Sequence, residues 1–379
     1  MLSISLPKSA SRPADKFVLW CVLGLSAIGV FAVYSAISFL AETKAGGNTE
    51  RFLIGHVVRL LAALGVMGLF SLIDYHLLAK ISRYALILSL VLLVAVRVVG
   101  VVSGGAARWL QVGSVGFQPS DFAKVTLLVY VALLLARKQR YIKSFTNAFA
   151  PIFAWILVTV IAIGIEDLST AALVLTAVLA MCFIARVSVL HLAGLGVVGL
   201  ILAYGLLLVS PHRAARMESF LGMKIFPNTE AVDVFSDQAE GYQAKQALIA
   251  FARGGLYGVG PGKSVQKDFL PAPYNDYIYA IIAEEFGVVG AFILLALYII
   301  ILFRGMLRIA RKAPDPLGFF LSVGLVTMLI LYGFVHAAVT AGLLPVTGLP
   351  LPFVSYGGTS MMANGLMMGI LLNVSRQVE

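Results

Sequence analysis

Asp276, Glu284 and Glu285 fall within ten residues of one another, and the two glutamates interrupt a chain that is otherwise uncharged from 277 to 303. A carboxylate there could take the proton of an attacking hydroxyl. Charge inside an apolar run is costly and is a functional hypothesis by default. Asp276, at the mouth of the run, could also simply cap a helix; the glutamates lie about two turns in, where caps do not explain them and a polar cavity would have to reach them. Cations occur in comparable settings. Arg108 precedes Trp109, and Lys124 follows Gln118-Pro119-Ser120-Asp121. Lys124 shares a helix face with Asp121, so either an ion pair or an anionic ligand would satisfy it. Glu166-Asp167-Leu168-Ser169-Thr170 is a polar turn in which Asp167 suits a helix cap. Gly342 to Ser360 is uncharged and rich in proline and glycine, as expected of a loop lining a cavity. Arginine and lysine hold a pyrophosphate well. Together these residue types point to a phosphate-bearing, lipid-anchored substrate whose partner hydroxyl must be deprotonated.

The elements that must position these groups are membrane helices. Of 379 residues, 60% are hydrophobic and 12% charged, against roughly 25% charged in a soluble domain. The long unbroken apolar runs exclude an outer-membrane barrel, whose strands are short and alternating. The net charge of +10 would suggest nucleic-acid binding in a soluble protein, but here it marks loops on one side of a membrane. Cys21 and Cys182 lie inside apolar runs and imply neither a disulfide nor a metal site. Ten segments are long enough to span, near 17–40, 52–73, 80–101, 118–136, 149–165, 169–185, 190–209, 277–303, 317–341 and 358–374. The first follows Lys8, Arg12 and Lys16 as a signal peptide would, but its length and the lack of a small-residue cleavage site point to a retained helix.

With the N-terminus inside, fifteen Lys or Arg fall in cytoplasmic segments, whereas the short outer loops hold only Lys44, Arg51 and Arg108. Both termini are therefore expected in the cytoplasm. The chain reads as one all-α polytopic membrane domain over 1–379, with a cytoplasmic tail at 1–16 and a large outer loop at 210–276. Within that loop, 240–253 has an amphipathic helical rhythm, and a tight glycine-rich stretch follows it.

Four stretches resemble the SEDS family of shape, elongation, division and sporulation proteins. They are Gly105 to Leu110 with Gln118 to Lys124; Asp167 to Ala171; Leu270 to Gly287; and Pro345 to Ser360. Their order, with ten helices and a large outer loop before the eighth, follows the family across essentially the whole chain. Phe122-Ala123 before Lys124 and Thr359 after Gly358 look closer to the FtsW branch than to the RodA branch. The chain departs from the family pattern in four places. Asp121 replaces a glutamate, Glu166 stands where a proline is common, Ser169 stands where a glycine is, and Pro273-Tyr274-Asn275 replaces a typical Ala-His-Thr.

The resemblance implies a peptidoglycan glycosyltransferase of the bacterial inner membrane, polymerising lipid II in septal cell-wall synthesis with its site on the outer face. Asp276 would be the general base of a single inverting displacement that forms a β-1,4 bond and releases undecaprenyl pyrophosphate. Arg108 and Lys124 would neutralise that leaving group, helped by Lys267. Gln118, Ser120, Asp121, Asp167, Glu284, Glu285 and Ser355 would shape the substrate cavity. A divalent cation, magnesium or manganese, is compatible with this chemistry, although the sequence offers no dedicated metal cage. The implied partners are a class B penicillin-binding protein, other division proteins and membrane lipid, with no nucleic acid. A lipid II flippase, a RodA-type elongation polymerase and a non-enzymatic division scaffold are the competing expectations.

Overall fold

The computed structural model describes residues 13–44, 49–103, 106–112, 115–229 and 240–378. Most of the expected tail at 1–16 and the middle of the expected loop at 210–276 lie outside them. Twelve α-helices are present among the described residues. Ten correspond one to one with the expected spans: α1 Lys16–Lys44, α2 Thr49–Leu72, α3 Tyr75–Val99, α4 Pro119–Lys138, α5 Ala150–Glu166, α6 Leu168–Ile184, α7 Val189–Val209, α10 Ile278–Phe303, α11 Pro316–Thr340 and α12 Thr359–Arg376. Eight spans are long and apolar enough to cross a membrane by themselves; α6 is shorter, and α12 is punctuated by Asn364 and Asn373. The protein is an integral membrane protein, all-α in its body.

Helices α4 and α11 form the centre. In α4, 83% of the most apolar window is buried against protein, compared with 11% in α7, which lies at the periphery. Around the centre α12 packs along α2, α3 along α4, and α1 along α10. At one end of the bundle Asp315, the N-cap of α11, accepts from Tyr75 (2.6 Å) and pairs with His76 (2.8 Å) of α3. Burial alone would raise the Asp315 pKa, but these bonds outweigh it and hold the carboxyl below its ordinary range.

The connections hold features that helical periodicity does not show. Between α3 and α4 runs a three-stranded antiparallel ribbon, β1 Val101–Ser103, β2 Ala106–Val112 and β3 Val115–Phe117. Its valines, Trp109 and Phe117 suit a pleated surface. In the long loop, α8 (Pro211–Leu221) precedes α9 (Glu240–Gly254), the expected amphipathic helix, which packs on α10.

Helix α10 is broken at Gly287, where φ is 68°. In hydrocarbon every backbone polar group needs a protein partner, and the glycine-rich loop after α9 supplies them. Val259 N donates to Glu284 O (2.9 Å), Gly260 N to Glu285 O (3.0 Å), and Val288 N to Gly255 O (3.0 Å). The two glutamates complete the joint. Glu284 accepts from Ser264 Oγ, Val265 N (3.1 Å) and Gln266 N (3.2 Å), and Glu285 from Ser35 Oγ and Ser264 N. Both are buried. Their carboxylates thus fasten the loop to the helix, so the polar surroundings expected of a cavity are supplied here by protein.

A side chain at Gly287 would meet Leu256 O at 2.4 Å and Gly258 N at 2.5 Å. Gly287→Ala should therefore destabilise the detergent-solubilised protein by more than about 1 kcal/mol and lower its unfolding temperature. Gly65→Ala, where nothing lies within 4 Å of the new methyl group, should leave that temperature unchanged or raise it.

Candidate functional site

Asp276 stands just before α10, one residue ahead of its N-cap. The N-cap is Tyr277, without a side-chain capping bond. Asp276 is only partly buried, and its backbone is held in a turn by the bond from its own N–H to Ala272 O (3.2 Å). The opposing wall is the loop before α12. There Ser355 Oγ donates to Asn275 O (2.7 Å) and accepts from Leu351 N (2.8 Å), while Tyr356 N donates to Tyr274 O (2.9 Å). Gly348 comes within van der Waals reach of Asp276, its notional Cβ 3.9 Å from Oδ2. Phe353, fully buried, sits at a φ of 62°. A bulky residue in the left-handed region costs of order 1–3 kcal/mol, and such strain clusters at functional sites.

Helix α2 adds two groups to this wall. The Arg59 guanidinium lies 4.7 Å from the centre of the Tyr356 ring, and His56 stacks on the same ring at 5.7 Å. His56 is buried, with no hydrogen-bond partner on either ring nitrogen among the described residues. Neither residue stands in the sequence motifs, although an arginine inside an apolar run is itself a signal.

From Thr359, at the start of α12, a buried polar chain runs across the bundle. Thr359 Oγ1 donates to Asp121 Oδ2 (2.9 Å), and Lys124 Nζ donates to Asp121 Oδ1 (2.6 Å) and to the Tyr332 hydroxyl (3.3 Å). The Tyr332 and Thr170 hydroxyls lie 3.2 Å apart, and Thr170 Oγ1 donates to Asp167 Oδ2 (2.9 Å). Since Thr170 spends its one proton on Asp167 and Lys124 donates to the Tyr332 oxygen, the Tyr332 proton points to Thr170. Lys124 is completely enclosed, with its ammonium 4.5 Å from the centre of the Tyr332 ring. Of the two partners open to it, the geometry supplies Asp121. Gln118 joins the chain through its backbone, N donating to Thr359 Oγ1 (3.3 Å), and Ser120 is buried beside it. Asp167 does cap α6, accepting from Thr170 N (3.0 Å).

Beyond Asp167 lies a cluster of arginines. Arg108 Nε donates to Glu166 O (2.9 Å), and Arg213 of α8 donates to Gly164 O (2.8 Å), Ile165 O (2.7 Å) and Glu166 O (3.0 Å). The C-terminal carbonyls of α5 thus hold both cations, where the helix dipole favours positive charge. Burial and then repulsion from Arg108, with Arg216 and Arg97 adding to it and Asp167 opposing, push the Arg213 pKa down. Arg213 lay outside the motifs; the signal for it was the basic, amphipathic run after Pro211. Lys267 donates to the Gly262 carbonyl of its own loop (3.0 Å). Among the described residues no three His, Cys, Asp or Glu side chains gather into a metal cage.

Residues 16–379 match the FtsW/RodA/SpoVE family model, described as cell cycle protein. The chain is 35% identical to stage V sporulation protein E of Bacillus subtilis over 368 residues, covering 96% of this chain and 97% of that one. It is 33% identical to a probable peptidoglycan glycosyltransferase FtsW of Aliivibrio salmonicida over 369 residues, covering 96% and 89%. Its fold is similar to a chain in the structure of a peptidoglycan synthase complex that coordinates polymerization and crosslinking, with a TM-score of 0.75, 26% identity, and coverage of 96% and 98%.

Lys124→Met would leave Asp121 buried and uncompensated, a loss of roughly 3–5 kcal/mol. The expected result is a sharply lower unfolding temperature, most of it recovered when Asp121→Asn is added. A Lys124→Met protein as stable as the parent would show that the pair carries no structural weight.

Proposed function

This chain belongs to the FtsW/RodA/SpoVE family of cell cycle proteins, and we propose on that premise that it is a peptidoglycan glycosyltransferase polymerising lipid II at the septum. The observation that carries the reading is the placement of Asp276. It is a partly buried carboxylate one residue ahead of the N-cap of α10, facing the loop held by Ser355 and Tyr356, on the same side of the bundle as the arginine cluster.

Asp276 accepts the proton of the acceptor sugar's 4-hydroxyl as that oxygen attacks the donor's anomeric carbon. The new C–O bond forms as the bond from that carbon to the pyrophosphate oxygen breaks. Configuration inverts once, from the α-linked donor to a β-1,4 product, and undecaprenyl pyrophosphate leaves. Arg108, joined by Arg213, neutralises the charge that grows on the leaving group; guanidinium suits phosphate oxygens through its planar fork. Lys124 serves the reaction indirectly, by fixing α4, α11 and α6 relative to one another. Asp167 accepts from Thr170 through both oxygens, so the Glu166 carboxylate, without a hydrogen-bond partner among the described residues, is the side chain beside the arginines that would hold a magnesium or manganese ion, and the ion would add positive charge for the leaving pyrophosphate.

The site faces the outside of the inner membrane, with both termini in the cytoplasm; the Lys/Arg asymmetry supports this. The partner is a class B penicillin-binding protein that supplies crosslinking. The similarity to a chain of a synthase complex that couples polymerization to crosslinking supports it.

Asp276→Asn should fold and insert but lose about 10²–10⁴-fold in rate, read as glycan polymer formed from fluorescent lipid II. Near-parental polymerisation would refute the base assignment. Cysteines at Met223 and Lys143, in a protein lacking Cys21 and Cys182, should report the topology. An impermeant thiol reagent on intact spheroplasts should label the Met223 position and spare the Lys143 position; the opposite pattern would move the site to the cytoplasm.

A further inference from the structure

At the end of the bundle opposite Asp276, the α6–α7 and α10–α11 connections meet across a cavity of about 460 Å³ that the mechanism above does not use. Arg186 lines it from the first connection and Arg311 from the second, together with Gln139 after α4 and Phe319 of α11. Neither arginine side chain makes a hydrogen bond or an ion pair among the described residues. Acids are not lacking at this end: Arg304, at the close of α10, pairs with Asp15 (2.9 Å). The one acid on the cavity lining is Asp315. Its Oδ2 accepts from Tyr75 (2.6 Å) and faces His76 (2.8 Å), and its Oδ1 accepts from Gly318 N (2.8 Å). Both of its oxygens are thus committed to the bundle.

Arg186 stands in strained backbone, with a φ of 63°. Its N–H donates to Phe183 O (3.0 Å), and Val187 N donates to Cys182 O (3.1 Å). These two bonds close α6 in a Schellman motif, whose left-handed residue is most often glycine because a Cβ is unfavourable there. The helix dipole favours a cation anywhere in this last turn, so it does not explain a cation at the one residue where a side chain is strained. Strain of this kind clusters at ligand sites. The neighbours of Arg186 set its depth. Phe183, Ile184, Val189 and Leu190, on either side of it in the chain, are exposed apolar side chains. Such a surface belongs in hydrocarbon, so the cavity opens at the level of the lipid headgroups, where the abundant anion is phosphate.

We propose that this cavity binds the phosphate of an anionic phospholipid, gripped by the guanidinium forks of Arg186 and Arg311. The acyl chains lie along the exposed apolar surface at the ends of α6 and α7. Asp315 has no oxygen left for an ammonium, so a glycerol head suits the site better than an ethanolamine head. The bound lipid ties the α6–α7 connection to the α10–α11 connection. It thereby holds α6 against α11, the pair that Thr170 and Tyr332 already join in the core. The proposal is independent of the glycosyltransferase reading.

Delipidated full-length protein in detergent is titrated with phosphatidylglycerol and with phosphatidylethanolamine, read by native mass spectrometry and by the unfolding temperature. Phosphatidylglycerol should fill a resolved first site and raise that temperature, and phosphatidylethanolamine should bind more weakly. Arg186→Gln and Arg311→Gln should each weaken the first site about tenfold or more. Arg140→Gln and Lys312→Gln remove the same charge at the same end but do not line the cavity, and should change it by less than about twofold. Arg186→Gly keeps the left-handed turn and removes the side chain. It should weaken the lipid as Arg186→Gln does, without lowering the unfolding temperature of the lipid-free protein. The Arg311→Gln arm stands even where an Arg186 variant fails to fold. Equal losses from all four glutamine variants would reduce the site to a diffuse basic surface and overturn it. Undiminished phosphatidylglycerol binding by folded Arg311→Gln protein would do the same. Displacement of the lipid by millimolar inorganic phosphate would overturn the lipid assignment and leave a site for a soluble phosphate.

Discussion

The ammonium of Lys124 has no route to water, and lipid offers it nothing, so its neutralisation must come from the protein. That constraint organises the centre of the bundle. Asp121 supplies the opposite charge from one turn earlier on α4, Tyr332 brings both a hydroxyl and a ring face from α11, and Thr359 holds the second carboxylate oxygen from α12. Through Tyr332 the same chain reaches Thr170 and Asp167 on α6. Four helices are thereby set at fixed distances by one charge. In a low-dielectric interior such a network stiffens the structure only if every member is satisfied. A substrate that borrowed Lys124 would have to break the pair first.

The same demand shapes the N-terminal half of α10. A break at Gly287 would leave bare peptide groups, and the loop 255–268 is folded onto it to satisfy them, with Glu284 and Glu285 tying the loop's own N–H groups. This joint leads back along α10 to Asp276. The carboxylate proposed as the base is therefore positioned from two sides: by the braced start of α10, and by Ser355 and Tyr356 in the strained loop before α12.

Much of this was legible in the sequence. Apolar runs gave the ten spans because hydrocarbon imposes length and composition directly. The amphipathic rhythm of α9 and the polar turn at Glu166-Asp167 read just as plainly. Other features depend on where distant segments meet. Glu284 and Glu285 looked like cavity residues, because a carboxylate in an apolar run has only two explanations and nothing in the order of residues reveals a loop folded onto them. Tyr332 and Thr170 are ordinary in their own helices, and only the crossing of α11 with α4 and α6 gives them a role. The β-ribbon is short, and its strands lie below the length at which alternation separates from noise.

Asp121 shows how a local departure is absorbed. A carboxylate shorter by one methylene still meets Lys124, because residues three apart on a helix already face each other. Its shortness keeps the group close to the α4 backbone, and the gap toward α12 is closed from the far side by Thr359. Both oxygens are thus engaged, one by each partner. A longer side chain would carry the charge further from α4 and would displace either the ammonium or the hydroxyl. The aspartate and the threonine thus meet across the gap between α4 and α12. The charge they hold lies inside the bundle, while the arginines on the C-terminal carbonyls of α5 stay at the rim. Fixed charge fully spent in the core and cationic charge in excess at the edge is the division of labour expected of a protein that must stay rigid in lipid while it handles a charged lipid head.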